Sequence, residues 1–212
     1  MTNAVHTAPA TKGLVLHWAA RYDLLVWLLT RGRERAFREK LAGLAHLTPG
    51  EAVLDVGCGT GSLAIVAKRQ VGPTGMMCGI DPSPAMIARA RSKASKAGTD
   101  VRFETAVAEA LPFLAAQFDV VLSTLMLHHL PRPVRQPFVR EVRRVLKPDG
   151  RLLVVDFAHA QDKRGVLAHF HRHGHVDPRQ IVSLLEEGGL RSVESGPVGI
   201  SSLQYVLATV EA

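Results

Sequence analysis

Asp55, Asp81, His128 and His129 are the side chains best suited to chemistry, and a run of glycines singles out the first of them. Asp55 opens the run Asp-Val-Gly-Cys-Gly-Thr-Gly, with glycines at 57, 59 and 61. Glycines leave no Cβ between backbone and ligand and accept positive φ. The Gly57-x-Gly59-x-Gly61 spacing is not the Gly-x-Gly-x-x-Gly register that a pyrophosphate needs. Gly61-Ser62-Leu63 also lacks the lysine of a phosphate-binding Walker loop. A carboxylate at the turn entrance suits a ligand carrying an ammonium group and repels phosphate. Asp81 follows Gly61 by twenty residues and closes a second apolar run. In doubly wound sheets an acid there holds a ribose diol. Histidine titrates near neutrality, so His128 and His129 are candidates for a general base, with shaping of a pocket wall as the alternative. His169, His171, His173 and His175 occupy every second position, but Arg172 and Gly174 interrupt them and no cysteine joins them. An exposed loop or lid near the site is preferred there to a metal centre, and no metal is expected.

The elements around these residues alternate. Residues 53–56 read as a buried parallel strand, and residues 62–69 as the helix that follows the turn. A ligand in the turn would meet that helix's N-terminus. Residues 76–80 form a second strand, after which Ser83 caps a helix with Pro84 in its first turn. Residues 101–106 and 117–124 are the third and fourth strands, and the fourth delivers His128 and His129 to the cleft edge. A helix follows over 131–146, then a Lys-Pro-Asp-Gly turn at 147–150 and a fifth strand over 151–156. A short helix at 181–187 leads to a final antiparallel pair at 190–194 and 203–209. Upstream, residues 1–12 read as frayed. Residues 13–30 are apolar but carry His17, Arg21 and Asp23, and are too short for a membrane span. They read as a helix that packs on the domain or lies on a lipid interface, and a basic helix continues over 31–47.

Asp-Val-Gly-Cys-Gly-Thr-Gly resembles motif I of the class I S-adenosylmethionine-dependent methyltransferases. Arg21-Tyr22-Asp23 resembles the Tyr-Asp motif of the ubiquinone/menaquinone-type members, and the turn at 147–150 matches their pre-strand turn. The resemblance implies a seven-stranded, mostly parallel, doubly wound Rossmann-like α/β sheet with an antiparallel last strand and N-terminal helices. It implies S-adenosyl-L-methionine as donor, with Asp55, Gly57, Cys58, Gly59, Thr60 and Gly61 at its methionine end. Asp81, Pro82 and Met86 would lie at the ribose, Ser123 at the edge of the fourth strand, and Tyr22 over the donor. Residues 106–113 resemble the family stretch Gly-Asp-Ala-Glu-x-Leu-Pro-Phe, but Val107 stands where Asp is usual. The adenine would then meet backbone at Val107 and Ala108 and an apolar shelf, with Glu109 nearby.

Length and composition point to one domain over residues 1–212, with a helical cap at 13–47 and a lid or insert at 157–176. Apolar residues make up 47%, enough for a substantial core, which argues against disorder. The formal charge of +7 admits nucleic acid, an anionic membrane or an acidic substrate, but the basic residues form no single stripe. Two cysteines, Cys58 and Cys78, offer neither a disulfide framework nor metal spacing and suit a reducing cytoplasm. No signal-peptide pattern opens the chain. The expected activity is methyl transfer to a small, apolar or aromatic acceptor in the cytoplasm, with peripheral membrane contact and a homodimer both compatible. A phospholipid N-methyltransferase at a membrane surface is the alternative. Nucleic acid is not expected as a partner, because residues 123–126 read Ser-Thr-Leu-Met in place of the amino-methylating Asp/Asn-Pro-Pro-Tyr/Phe motif. A module that only senses the donor is a further class.

Overall fold

The computed structural model describes residues 33–157, 177–199 and 203–210. Tyr22, most of the proposed cap and the histidines at 169–175 lie outside them. Helix α1 spans Glu34–Leu44, β1 Ala52–Val56, α2 Ser62–Val71, β2 Met76–Asp81, α3 Pro84–Lys96, β3 Arg102–Thr105 and β4 Phe118–Thr124. A single 3-10 turn, Leu127–His129, precedes α4 (Arg132–Val145), β5 (Leu146–Phe157), α5 (Pro178–Glu187), β6 (Leu190–Pro197) and β7 (Leu203–Val210).

The strands form one seven-stranded sheet in the order β3-β2-β1-β4-β5-β7-β6. Strands β1 to β5 pair in parallel, while β7 runs antiparallel between β5 and β6. The expected final hairpin is therefore present, and its second strand is the inner one. The apolar runs expected of parallel strands are buried on both faces. On one face Leu54, Val56, Ile80, Val121 and Val154 pack with Phe138 and Val142 of α4 and Leu185 of α5. On the other, Val53, Met77, Val120 and Val155 pack with Leu41 of α1, Ala64 of α2 and Ile87 of α3. Helices thus cover both faces, and the order reverses direction between β1 and β4. A crevice opens at the carboxyl ends of the strands at such a switch point.

Two local departures have physical causes. Strand β5 begins five residues earlier than its apolar run, because Leu146 already pairs with Phe118 before the next pair, Val120 with Arg151, is made. The Lys-Pro-Asp-Gly turn is held within that irregularity, with Asp149 at φ 61°. Arg151 joins sheet to cap. Its guanidinium clamps both Glu51 oxygens, at 2.8 and 2.9 Å, and also donates to the Ala45 and His46 carbonyls beyond α1.

Gly61 begins α2 at φ 77°, and a Cβ there would lie 2.7 Å from Phe103 Cζ and 2.9 Å from Ala90 Cβ. Left-handed strain and overpacking act together at this position, each costing roughly 1–3 kcal/mol. Gly61→Ala is expected to lower the chemical-denaturation midpoint by an amount matching about 2–5 kcal/mol with little change in slope. An unchanged midpoint would show that the helix start can shift to absorb the methyl.

Candidate active site

The turn between β1 and α2 is built on three left-handed glycines, at φ 76°, 53° and 77° for Gly57, Gly59 and Gly61. Its N–H groups are engaged within the protein. Those of Gly57 and Cys58 both donate to the Ile80 carbonyl at 2.9 Å, and that of Gly61 donates to Cys58. The Gly59 N–H donates to Asp81 Oδ2 at 3.0 Å, across the mouth of β2. The bend therefore does not present these amides to an anion, unlike a phosphate-binding loop.

Asp81 also accepts the Ser83 N–H on Oδ1, at 2.9 Å. Burial pushes its carboxyl above the usual carboxylate range, while the Ser83 and Gly59 amides pull it back. Ser83 itself is fully buried and caps α3, its Oγ accepting from Met86 N. Asp81 thus organises the turn and lines the cleft beside it.

Asp55 lies one position behind the cleft, on the strand face shared with Val53. It is 1% exposed, and neither carboxylate oxygen has a hydrogen-bond partner among the described residues. Burial lifts its pKa to about 7, with opposition from the Arg38 guanidinium and reinforcement from Asp81. Arg38 is itself a buried side chain, delivered by α1. Lys93 of α3 donates to Thr60 Oγ1 at 3.1 Å and to Ser62 Oγ at 2.6 Å, fastening the turn from below.

The cleft encloses about 730 Å³ counted to its open mouth. Gly57, Gly59, Asp81, Pro82, Met86, Val107, Ala108, Glu109 and His129 all line it, with Thr124, Leu125, Met126 and Leu130 on the β4 side. Cys58, Thr60, Gly61, Ser123 and His128 do not line it, and neither does Asp55. Cys58 is a buried spacer whose thiol is pushed well above its ordinary range by burial and by Asp55 and Asp81. Thr60 anchors Lys93, Gly61 serves packing, and the Ser123 hydroxyl is buried beside the Thr124 that faces the cleft. Leu125 adopts φ 55°, a left-handed conformation that is costly for a leucine and typical of functional edges. It turns the chain so that Met126 folds back over Gly57. A Cβ on Gly57 would fall 2.4 Å from Met126 Cγ.

The two histidines have separate surroundings. His128 is 4% exposed, and its Nδ1 lies 2.7 Å from Asp156 Oδ1. A carboxylate only accepts, so the His128 proton sits on Nδ1. Asp156 also accepts the backbone N–H groups of His128 and Phe157, at 3.0 and 2.8 Å. The His128 ring packs against His129 with centroids 3.9 Å apart and planes tilted by 43°, and meets Phe157 edge-on at 5.5 Å. His129 is the one that reaches the cleft. Arg38, Lys93 and Asp156 were not picked out by sequence pattern. Asp156 is the penultimate residue of β5 and Asp81 the last of β2, so a search for acids at the carboxyl ends of strands would select both. Arg38 and Lys93 sit among other basic helix residues and carry no such mark.

Residues 53–150 match a family described as a methyltransferase domain. The ubiquinone/menaquinone biosynthesis C-methyltransferase UbiE of Bordetella avium (strain 197N) is 35% identical over 140 residues, 66% of this chain and 54% of that protein. The 27-O-demethylrifamycin SV methyltransferase of Amycolatopsis mediterranei (strain S699) is 41% identical over 121 residues, 56% of this chain and 43% of that protein. The chain thus spans about half the length of the curated relatives it matches. In architecture it is similar to a SAM dependent methyltransferase from Aquifex aeolicus, with a TM-score of 0.74 over 91% of this chain and 98% of that one, at 23% identity. Residues 53–150 thus carry a methyltransferase-domain match, and the surrounding fold is similar to that of the class I S-adenosylmethionine-dependent methyltransferases. Within that class its sequence resembles the ubiquinone/menaquinone-biosynthesis type. Among the described residues, no helix is long and apolar enough to cross a membrane, and no cluster of three or more metal-ligating side chains occurs.

Proposed function

We propose that the chain transfers a methyl group from S-adenosylmethionine to a small aromatic or apolar acceptor whose attacking atom must lose a proton, with His129 receiving it. The observation that carries this reading is the composition of one continuous cleft. Glycine backbone and Asp81 form one wall, and Leu125, Met126, Leu130 and the imidazole of His129 form the other.

The residues present fit the donor. Asp55 lies behind the glycine turn rather than in the cleft itself, a buried acid with both oxygens unpartnered whose charge favours an ammonium group at the turn. Asp81 stands where it would accept hydrogen bonds from a ribose diol, and the engaged turn amides disfavour phosphate. Val107 and Ala108, both buried, offer a flat apolar surface to a purine ring. Bound there, S-adenosylmethionine supplies an electrophilic methyl on a positively charged sulfur.

The protein's own task is to position, exclude water and move one proton. Leu125, Met126 and Leu130 make the acceptor wall apolar. A ring nitrogen of His129 takes the proton that a phenol, quinol or similar group must release. His128 does not touch the cleft. Held by Asp156 at Nδ1, it braces the His129 ring from behind, and is a positioning residue. One curated relative is named for ubiquinone/menaquinone biosynthesis, with which a quinol acceptor is in keeping, and the other for methylation of 27-O-demethylrifamycin SV, a small-molecule acceptor.

The test is release of S-adenosylhomocysteine over an acceptor panel of quinols, simple phenols, catechols and phosphatidylethanolamine vesicles. Turnover with the quinol or phenol members is expected. Turnover confined to the vesicles would move the reading to a lipid-headgroup methyltransferase. Tight donor binding with no transfer to any class would favour a donor-sensing module.

A further inference from the structure

The α4–α5 surface carries a second feature that methyl transfer does not use. Arg132, Arg135 and Arg179 line an open groove together with Ser183, Leu184 and Glu187. Three guanidinium groups face one carboxylate there, and that carboxylate is already engaged by Gln136 Nε2 at 2.7 Å. No ion pair joins Arg132 or Arg179 to an acid among the described residues.

The placement runs against the ordinary preference. Arg132 is the first residue of α4 and Arg179 the second of α5, and neither helix has an acid in its first turn. Helix N-termini carry partial positive charge and favour anions, so a cation there is mildly destabilising. Asp177 offsets part of this by capping α5, accepting from the Arg179 N–H at 2.9 Å. Arg135 is half-buried, and burial and the neighbouring Arg132 pull its pKa below the ordinary arginine value against the attraction of Asp156. An anion seated in the groove would relieve all three arginines at once.

The groove adjoins the donor cleft. Arg135 Nε donates to the carbonyl of Leu130 at 3.0 Å, and Leu130 lines that cleft. We propose that Arg132, Arg135 and Arg179 form a docking groove for the phosphate groups of an anionic lipid surface, setting the cleft's β4 wall against that surface. Arg132 and Arg179 are exposed on an open groove, which suits a headgroup layer better than a small ion enclosed in a pocket. No aromatic side chain lines the groove, so it lacks the stacking platform that single-stranded nucleic acid uses.

The test is co-sedimentation of the full chain with vesicles of phosphatidylcholine alone, or of phosphatidylcholine with phosphatidylglycerol. Pelleting with the acidic vesicles only is expected. Arg132→Gln with Arg179→Gln should weaken it about thirtyfold, and each single change about fivefold, the usual increment for a basic residue near an anionic surface. Arg69→Gln with Arg191→Gln removes the same charge from other faces and should weaken binding by less than about fivefold. Unaltered melting certifies the fold of each variant, and the single changes decide the matter if the double variant does not fold. Equal loss in both double variants, retained pelleting by the groove variants, or equal binding of neutral and acidic vesicles would overturn the proposal. Saturable uptake of inorganic phosphate without vesicle binding would also overturn it. None of these readouts needs the donor, so failure here leaves the methyl-transfer reading intact, and the reverse.

Discussion

His129→Gln is expected to lower turnover of a phenolic or quinol acceptor by about 10²–10⁴-fold, the usual contribution of a positioned general base, while donor affinity changes by less than about twofold. The separation follows from where the ring sits. His129 follows β4, whereas Asp81 ends β2 on the other side of β1. Glutamine keeps the approximate size and a polar tip but cannot hold the proton. Asp156→Asn is expected to produce a smaller loss together with a changed pH profile, since it weakens the bonds that hold His128 and the Phe157 amide rather than a group lining the cleft. The readout is steady-state kinetics over pH 5.5–9, with calorimetry of donor binding on the same variants. Wild-type turnover by His129→Gln would remove the base and leave His129 as part of the pocket wall. A parallel loss of donor affinity would reassign it to donor binding.

Donor affinity is expected to rise with pH up to neutrality and then level off. Burial holds the Asp55 carboxyl protonated until about pH 7. Below that value an incoming ammonium group finds a neutral acid, so binding must expel a proton and weakens by up to about tenfold per pH unit. Above it the carboxylate is already charged. The sign for the free protein is opposite. Between about pH 4, where an unfolded aspartate ionises, and about pH 7 the native state retains a proton that the unfolded chain has lost. This group's contribution to stability therefore falls as pH rises through that window. The melting shift produced by saturating donor should accordingly be larger at pH 8 than at pH 6. Asp55→Asn should abolish that difference and weaken binding at pH 8, whereas Asp81→Ala should weaken binding at both pH values. A donor-induced shift independent of pH in the unaltered protein would show that Asp55 does not meet the ammonium group.

The strand–turn–helix alternation was legible because each parallel strand is a short apolar run and each turn is marked by Gly, Pro or a capping serine. Ser83 and Pro84 cap α3 as their types require. Asp81, Val107, Ala108 and His129 reach one cleft from three separate stretches; strand-end placement pointed to Asp81 and His129, and the family resemblance to Val107 and Ala108. Side-chain direction was not legible. Adjacent histidines look equivalent in a sequence, yet the 3-10 turn sends one to the cleft and the other to Asp156. Thr60 and Gly61 belong to the motif but serve its scaffolding, one holding Lys93 and the other making room for Phe103. Arg38 could not be matched to Asp55 from sequence, because only tertiary packing of α1 brings a buried arginine to that strand face.

Calorimetric titration of the full chain at pH 8 with S-adenosylmethionine, S-adenosylhomocysteine, ATP and NAD most directly tests the nature of the ligand in the glycine-lined cleft. Saturable one-to-one binding of the two sulfur nucleosides is expected, lost on Asp81→Ala, with no heat from either phosphate-bearing compound. Binding of ATP or NAD that Asp81→Ala leaves unaffected, with none of S-adenosylmethionine, would contradict it.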